Sequence, residues 1–168
     1  MRISELVALD NDDVDLAHGQ LTIRDAKFGK SRWLPLHAST QQALQWYVQR
    51  RDQQYPIPCS SGFFVSEQGT RLTSGTVRAT FVQLSRQIGL RGLTDSHGPR
   101  LHDFRHRFAV QTLLRWYQEG ADVEQHLPEL STYLGHVKVS DTYWYLSATP
   151  ELLQLALQRS EQGDTHDR

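Results

Sequence analysis

The sequence predicts an α+β fold, mainly helical, with a small antiparallel β-sheet. Three observations lead there. Apolar residues recur at helical spacing in several separate segments, most of them opened by a capping residue or closed by glycine. One pair of short segments flanks a glycine-containing turn, the first of them alternating apolar with polar residues. The chain has 168 residues, 38% hydrophobic and 22% charged, which suits one packed core and argues against wholesale disorder.

The elements follow in order. Residues 3–9 are apolar and read as the last turns of a helix, closed by Asp10, Asp12, Asp13 and Asp15. Residues 20–25 alternate, with Leu21 and Ile23 on one face, and predict a strand. Residues 32–36 predict a second strand, and Pro35 suits an edge or a strand end. Lys27, Phe28, Gly29 and Lys30 form the turn between them, giving a hairpin with a basic tip. Ser39 or Thr40 can cap a helix running to about Asp52, with Leu44, Tyr47 and Val48 at helical spacing. After a loop over 56–62, Phe63, Phe64 and Val65 make a short buried segment. Thr73 or Ser74 starts a helix that ends near Gly89 and carries Val77, Phe81 and Leu84 on one face. A turn-rich loop at 92–99 leads to a helix over 102–117, stopped by Gly120. A short helix follows from Pro128 to the residue before Gly135. Thr149 and Pro150 then open a helix to about Arg159, with Leu152, Leu153, Leu155 and Leu157 as a broad apolar stripe. Residues 160–168 read as a polar, flexible tail.

Composition excludes several classes. No stretch approaches the roughly 20 apolar residues of a membrane-spanning helix, and no secretory signal is visible, so a cytoplasmic protein is expected. Cys59 stands alone, which rules out an intrachain disulfide and a Cys-rich zinc module. The net charge of −1 conceals an asymmetry: residues 16–118 hold 14 Lys and Arg against 5 Asp and Glu, and the rest hold 4 against 14. Fifteen of the 18 basic residues are Arg, whose planar fork suits phosphate oxygens. A basic centre between acidic ends fits a phosphate-binding footprint.

Three clusters carry chemistry. His102 and Arg105, three apart at a helix start, share a face and suit a phosphate site. His102 and His106 also have metal-ligand spacing, but no Glu lies between them and no third ligand is evident, so no metal is expected. His106 reads as a packed or capping residue. The run Tyr133-Leu134-Gly135-His136 exposes a histidine at a helix-ending turn, and Tyr145 follows nine residues later. Arg2 and Glu5 are three apart and in isolation form an ordinary surface pair.

Taken in order, Arg2-x-x-Glu5, the hairpin-tip lysine, His102-x-x-Arg105, Leu134-Gly135-His136 and Tyr145 resemble the catalytic half of a tyrosine recombinase of the phage integrase family. The stretches RISELVALD, LHDFRHRFA, LGH and DTYWYL carry the resemblance over nearly the whole chain. It implies the fold of the DNA breaking-rejoining enzymes, double-stranded DNA as partner, and site-specific cleavage and rejoining through a 3′-phosphotyrosine. Tyr145 matches the nucleophile, with Tyr143 as its rival. Arg2 and Arg105 would clamp the non-bridging oxygens, and His136 would bond the same phosphate. His102 would move a proton or bind the phosphate. Lys27, with Lys30 as rival, would protonate the leaving oxygen. Glu5 would orient Arg2, and Asp103 and Phe104 would serve as structural partners. No cofactor is implied, because two arginines can do the electrostatic work. Four protomers on two duplexes are the family expectation.

The family's pattern extends further upstream, with a Thr-Gly pair and a helical core-binding domain. Residues 1–159 therefore read as a partial catalytic domain, with Arg2 loosely held at its start and weak activity alone. A DNA-binding remnant without catalysis is the alternative. A type IB topoisomerase shares the chemistry, and a metal hydrolase is more distant.

Overall fold

The computed structural model describes residues 1–26, 30–57, 59–147 and 149–163; side chains are described in these spans apart from 25, 26, 30 and 158–163. The chain divides into two compact units, Arg2–Arg100 and, with Met1, Leu101–Arg168.

The first unit opens with α1 (Ile3–Ala8). Its last carbonyls are capped from a distance: the Arg71 guanidinium donates to Val7 O at 3.2 Å and Leu9 O at 3.1 Å, and also to the Asp10 carboxylate. After a 3-10 turn at Asn11–Asp13 comes an antiparallel sheet in the order β1 (Val14–Asp15), β2 (Gln20–Ala26), β3 (Lys30–Pro35). Leu21 pairs with Leu34 and Ile23 with Arg32, so these four share the inward face; Thr22 pairs with Trp33 on the other. Leu21, Ile23 and Leu34 are buried and Trp33 is exposed. The two expected strands are therefore present. The strand β1, only two residues long, gave no periodic signal to read.

Helix α2 (Ala38–Gln54) already includes both expected caps, Ser39 and Thr40, in its first turn. His37 caps it instead, its Nδ1 accepting from the Ser39 backbone N–H at 3.3 Å. Tyr47 on α2 meets Phe63 and Phe64 at 5.7 and 5.3 Å, and its hydroxyl accepts from Val65 N at 2.9 Å; of the segment expected to be buried, Phe63 is buried whereas Phe64 and Val65 are half-buried. Helix α3 (Ser74–Gln87) has Thr73 as its cap, accepting from Thr76 N at 3.1 Å. Its expected apolar face needs correcting. Leu84 is exposed, and Ser85 takes the buried position because its hydroxyl donates back to Phe81 O at 2.7 Å.

The second unit is helical. Helix α4 (Leu101–Gln118) and α5 (Val123–Leu134) carry most of its core, with Ala109, Leu113, Leu127 and Leu134 essentially sealed from solvent. Helix α5 begins five residues earlier than Pro128. Asp122 caps it, accepting from Glu124 N and Gln125 N at 3.1 and 3.2 Å. Pro128 sits in its second turn, where the carbonyl it deprives of a donor belongs to the exposed Glu124. Two short elements follow, α6 (Ser140–Tyr143) and a 3-10 turn at Trp144–Ser147. Helix α7 (Pro150–Gly163) extends past the expected end at Arg159. Thr149 caps it, its hydroxyl accepting from Leu152 N at 3.2 Å. The four-leucine stripe is split: Leu152 is fully buried and Leu155 packs on the core, whereas Leu153 and Leu157 are exposed. Among the described residues no helix is long and apolar enough to cross a membrane.

That split gives a stability prediction. Leu152→Ala empties a fully buried site and is expected to cost about 2–5 kcal/mol in urea unfolding. Leu153→Ala removes an exposed leucine and should change stability by about 0.5 kcal/mol or less.

Candidate active site

In the second unit the candidate residues gather at helix ends. Arg105 lies one turn into α4 and is buried, 9% exposed. A buried guanidinium must be paired, and its Nη1 donates to Leu134 O, the last carbonyl of α5. The negative end of the α5 dipole favours a cation there. Gly135 then leaves the helix with φ 77°, a left-handed conformation that glycine adopts without penalty. Its N–H and that of His136 both return to Ser131 O at 2.9 Å. One helix end therefore fixes both Arg105 and His136.

His136 is half-buried, and its Nδ1 lies 2.8 Å from the hydroxyl of Thr142, which is fully buried on α6. The His136 ring is parallel to Tyr145, within 6°, with centroids 6.0 Å apart. His106 meets Tyr145 from another direction at 5.4 Å. Trp144 packs edge-on against Tyr145, also at 5.4 Å. Tyr145 is thus held on three sides and is 4% exposed, whereas its rival Tyr143 is 46% exposed. No hydrogen bond among the described residues engages the Tyr145 hydroxyl. His102 is exposed at the start of α4, one turn before Arg105. His106 is packed, as expected. Phe104, expected as a structural partner, is 62% exposed, because the buried side of this turn belongs to Arg105. Among the described residues no group of three or more His, Cys, Asp or Glu side chains converges as metal ligands.

Arg2 belongs to the first unit, where it is firmly held. The Glu5 carboxylate accepts from the Arg2 backbone N–H at 2.7 Å and from its Nη1 at 3.0 Å. Two readings from sequence are corrected here: Arg2 is not loose, and Glu5, with a 7% exposed side chain, is not part of an ordinary surface pair. The reason is a second cation. Arg32 donates to both oxygens of Glu5, at 3.3 and 2.9 Å. Burial by itself pushes the Glu5 carboxyl up. The Arg32 hydrogen bond, the Arg2 backbone N–H and the charges of both arginines outweigh it and hold the carboxyl below its usual range. Lys27 lies outside the described residues, as does the side chain of its rival Lys30.

Arg32, His106 and Thr142 support the candidate residues and were not singled out from sequence as doing so. Arg32 had a readable signal, since alternation from Leu34 puts it on the inward face of β3.

One unit is helical and carries Arg105, His136 and Tyr145, and the other holds a small antiparallel sheet and the Glu5 network; solved tyrosine recombinases share this fold. The family model described as phage integrase family matches residues 1–151, and the chain belongs to that family. It is 54% identical over 162 residues to the y4rB protein of Sinorhizobium fredii, which carries the name integrase/recombinase; the match covers 96% of this chain and 52% of that one. It is 35% identical over 152 residues to the tyrosine recombinase XerC of a Roseiflexus species, covering 86% of this chain and 42% of that one. The XerH site-specific recombinase, solved with its palindromic difH substrate after cleavage, superposes with a TM-score of 0.65 at 23% identity, over 96% of this chain and 42% of that one. The chain spans about half the length of the curated relatives it matches.

The Glu5 network predicts a pH dependence. A carboxyl lowered in the folded state stabilises above its unfolded pKa, and that contribution disappears as pH falls through the folded value. The melting-temperature gap between the unsubstituted chain and Glu5→Gln should therefore narrow from neutral pH to about pH 3. A gap independent of pH would show that the pairing is not ionic.

Proposed function

We propose that this chain is the catalytic part of a site-specific DNA recombinase acting on double-stranded DNA. The observation that carries the reading is the Tyr145 phenol, its ring stacked on His136 and its hydroxyl engaged by no described residue. Family membership and the basic bias of residues 16–118 support the same reading.

In this reading the Tyr145 oxygen attacks a scissile phosphorus and loses its proton. The bond from phosphorus to the 5′-oxygen breaks, and that oxygen takes up a proton. A 3′-phosphotyrosine and a free 5′-hydroxyl result. Attack by another 5′-hydroxyl reverses the step and rejoins strands, with one phosphoester exchanged for another and no ATP consumed. A phenol with an unperturbed pKa near 10 needs positive charge and a proton acceptor nearby. Arg105 and Arg2 bind the non-bridging oxygens and stabilise the pentavalent transition state. His136 hydrogen-bonds the phosphate, and its bond to Thr142 fixes the direction of its other ring nitrogen. His102, at the exposed start of α4, moves a proton or binds the phosphate, and Lys27 protonates the leaving oxygen. Residues 1–159 carry this reaction, in the cytoplasm with the DNA. Assembly of four protomers on two duplexes is proposed on family membership alone.

The test is covalent capture. The chain is incubated with randomised duplexes carrying a nick beside each potential scissile position, so that cleavage releases a short fragment and traps the protein on DNA. We expect a protease-sensitive protein–DNA species that Tyr145→Phe abolishes and Tyr143→Phe leaves intact. Arg105→Lys keeps the charge but loses the fork, and should lower the capture rate by roughly 10²–10³-fold. Duplex binding without any covalent species would sink the catalytic reading in favour of a DNA-binding remnant. Binding itself should weaken steeply between about 50 and 200 mM salt.

A further inference from the structure

We infer that Arg32 is a positioning residue for Arg2, acting through the shared carboxylate of Glu5. The catalytic consequence rests on the recombinase reading; the geometry stands without it.

Arg32 occupies an inward register position on β3, opposite Ile23 and two residues before Leu34. A charged side chain does not belong on that face unless an anion meets it. Its side chain is only 10% exposed, and Glu5, 7% exposed, is the anion. Both terminal nitrogens of Arg32 fork onto the two Glu5 oxygens. The remaining nitrogen, Nε, is buried with no hydrogen-bond partner among the described residues, and the described polar contacts of this guanidinium all go to Glu5. Oε1 then holds Arg2 Nη1, and Oε2 holds the Arg2 backbone N–H.

Four donors from two arginines therefore saturate one carboxylate. Each oxygen carries one bond from Arg32 and one from Arg2. With Arg32 in place, Glu5 cannot rotate about its terminal bond without breaking a fork. Arg2 thus meets a carboxylate of fixed orientation and assured charge. Arg32 also ties β3 to the helix that Arg2 opens. Lysine cannot replace it fully, because a single ammonium cannot engage both oxygens in that planar geometry.

The test uses the full chain with Arg32→Met, Arg32→Lys and Glu5→Gln. The first readout needs no DNA: nitrogen-15 relaxation of the Arg2 side-chain Nε–H, assigned by its loss in Arg2→Lys. Arg32→Met should make this group as mobile as a solvent-exposed arginine, while the Leu21, Ile23 and Leu34 methyl signals stay in place. Arg32→Lys should fall between. The second readout is cleavage of a duplex recovered by the covalent capture above. Arg32→Met should slow cleavage at saturating DNA by about 10–100-fold, the cost of a misplaced phosphate clamp, with binding nearly unchanged. It should add nothing in the Glu5→Gln background. On a duplex with a methylphosphonate at the scissile position, one anionic oxygen is gone and less clamping charge is needed. The Arg32→Met deficit should shrink there, as the Arg2→Lys deficit does. An Arg2 side chain as ordered in Arg32→Met as before overturns the inference, and so does an equal deficit on both substrates. If the unsubstituted chain yields no covalent species, the recombinase reading fails and the relaxation measurement still decides the role of Arg32. Should Arg32→Met not fold, Arg32→Lys and Glu5→Gln carry the same comparison.

Discussion

The bond from Arg105 to the Leu134 carbonyl is the constraint on which the second unit's candidate site depends. A guanidinium only 9% exposed must be met by an acceptor. One acceptor is the end of α5, so the register and length of that helix are coupled to the position of Arg105. The same helix end releases the chain through Gly135 and sets His136 one residue later. His136 in turn is bonded to Thr142 and stacked on Tyr145. The start of α4, the end of α5 and the Tyr145 segment are thereby registered by one carbonyl, one left-handed glycine and one hydroxyl. Removing the cation would cost twice, as a lost contact and as an unpaired helix end in a site of low polarity.

The first unit solves the same problem with a different partner. Its sheet is small, and charged pairs of differing burial tie its segments together, only Glu5 and Arg32 being buried on both sides. Asp13, 5% exposed, is met by Arg24. Arg71 gathers Asp10 and the two carbonyls at the end of α1. Glu5 is met from two sides by Arg2 and Arg32. Such pairs are weak evidence for stability, since desolvation offsets most of their attraction. They are better understood as devices of orientation: each allows one geometry and charges heavily for any other.

Features of the chain that obey local rules were legible in the sequence. Thr73 and Thr149 cap the helices they were expected to cap, Gly135 ends α5, and Leu21 and Ile23 share the buried face of β2. The family was legible from the resemblance carried by Arg2, His102, Arg105, His136 and Tyr145, and its model matches residues 1–151. Where long-range contacts decide, local rules failed. Pro128 looked like a helix start, but Asp122 offered the better cap and the core positions Val123 and Leu127 extended the apolar stripe backwards. Leu84 had helical spacing and no partner to bury it. Glu5 looked like half of a surface pair because its second arginine is 27 residues away.

The short elements that carry Tyr145 show why so much packing surrounds one phenol. Helix α6 and the 3-10 turn after it are four residues each, too short to persist without tertiary support. Their order comes from the Thr142 bond to His136 and from the Tyr145 ring, which is itself part of the unit's core. The candidate nucleophile is therefore also a structural residue, which accounts for a phenol that is only 4% exposed. Burying the ring and leaving the hydroxyl unengaged separates the two duties. Stacking fixes the direction in which the oxygen points, and in the proposed reaction no hydrogen bond from a described residue has to be broken before attack. A tyrosine fully exposed on a four-residue helix would have to be ordered at the moment of reaction, and that entropy would be added to the barrier.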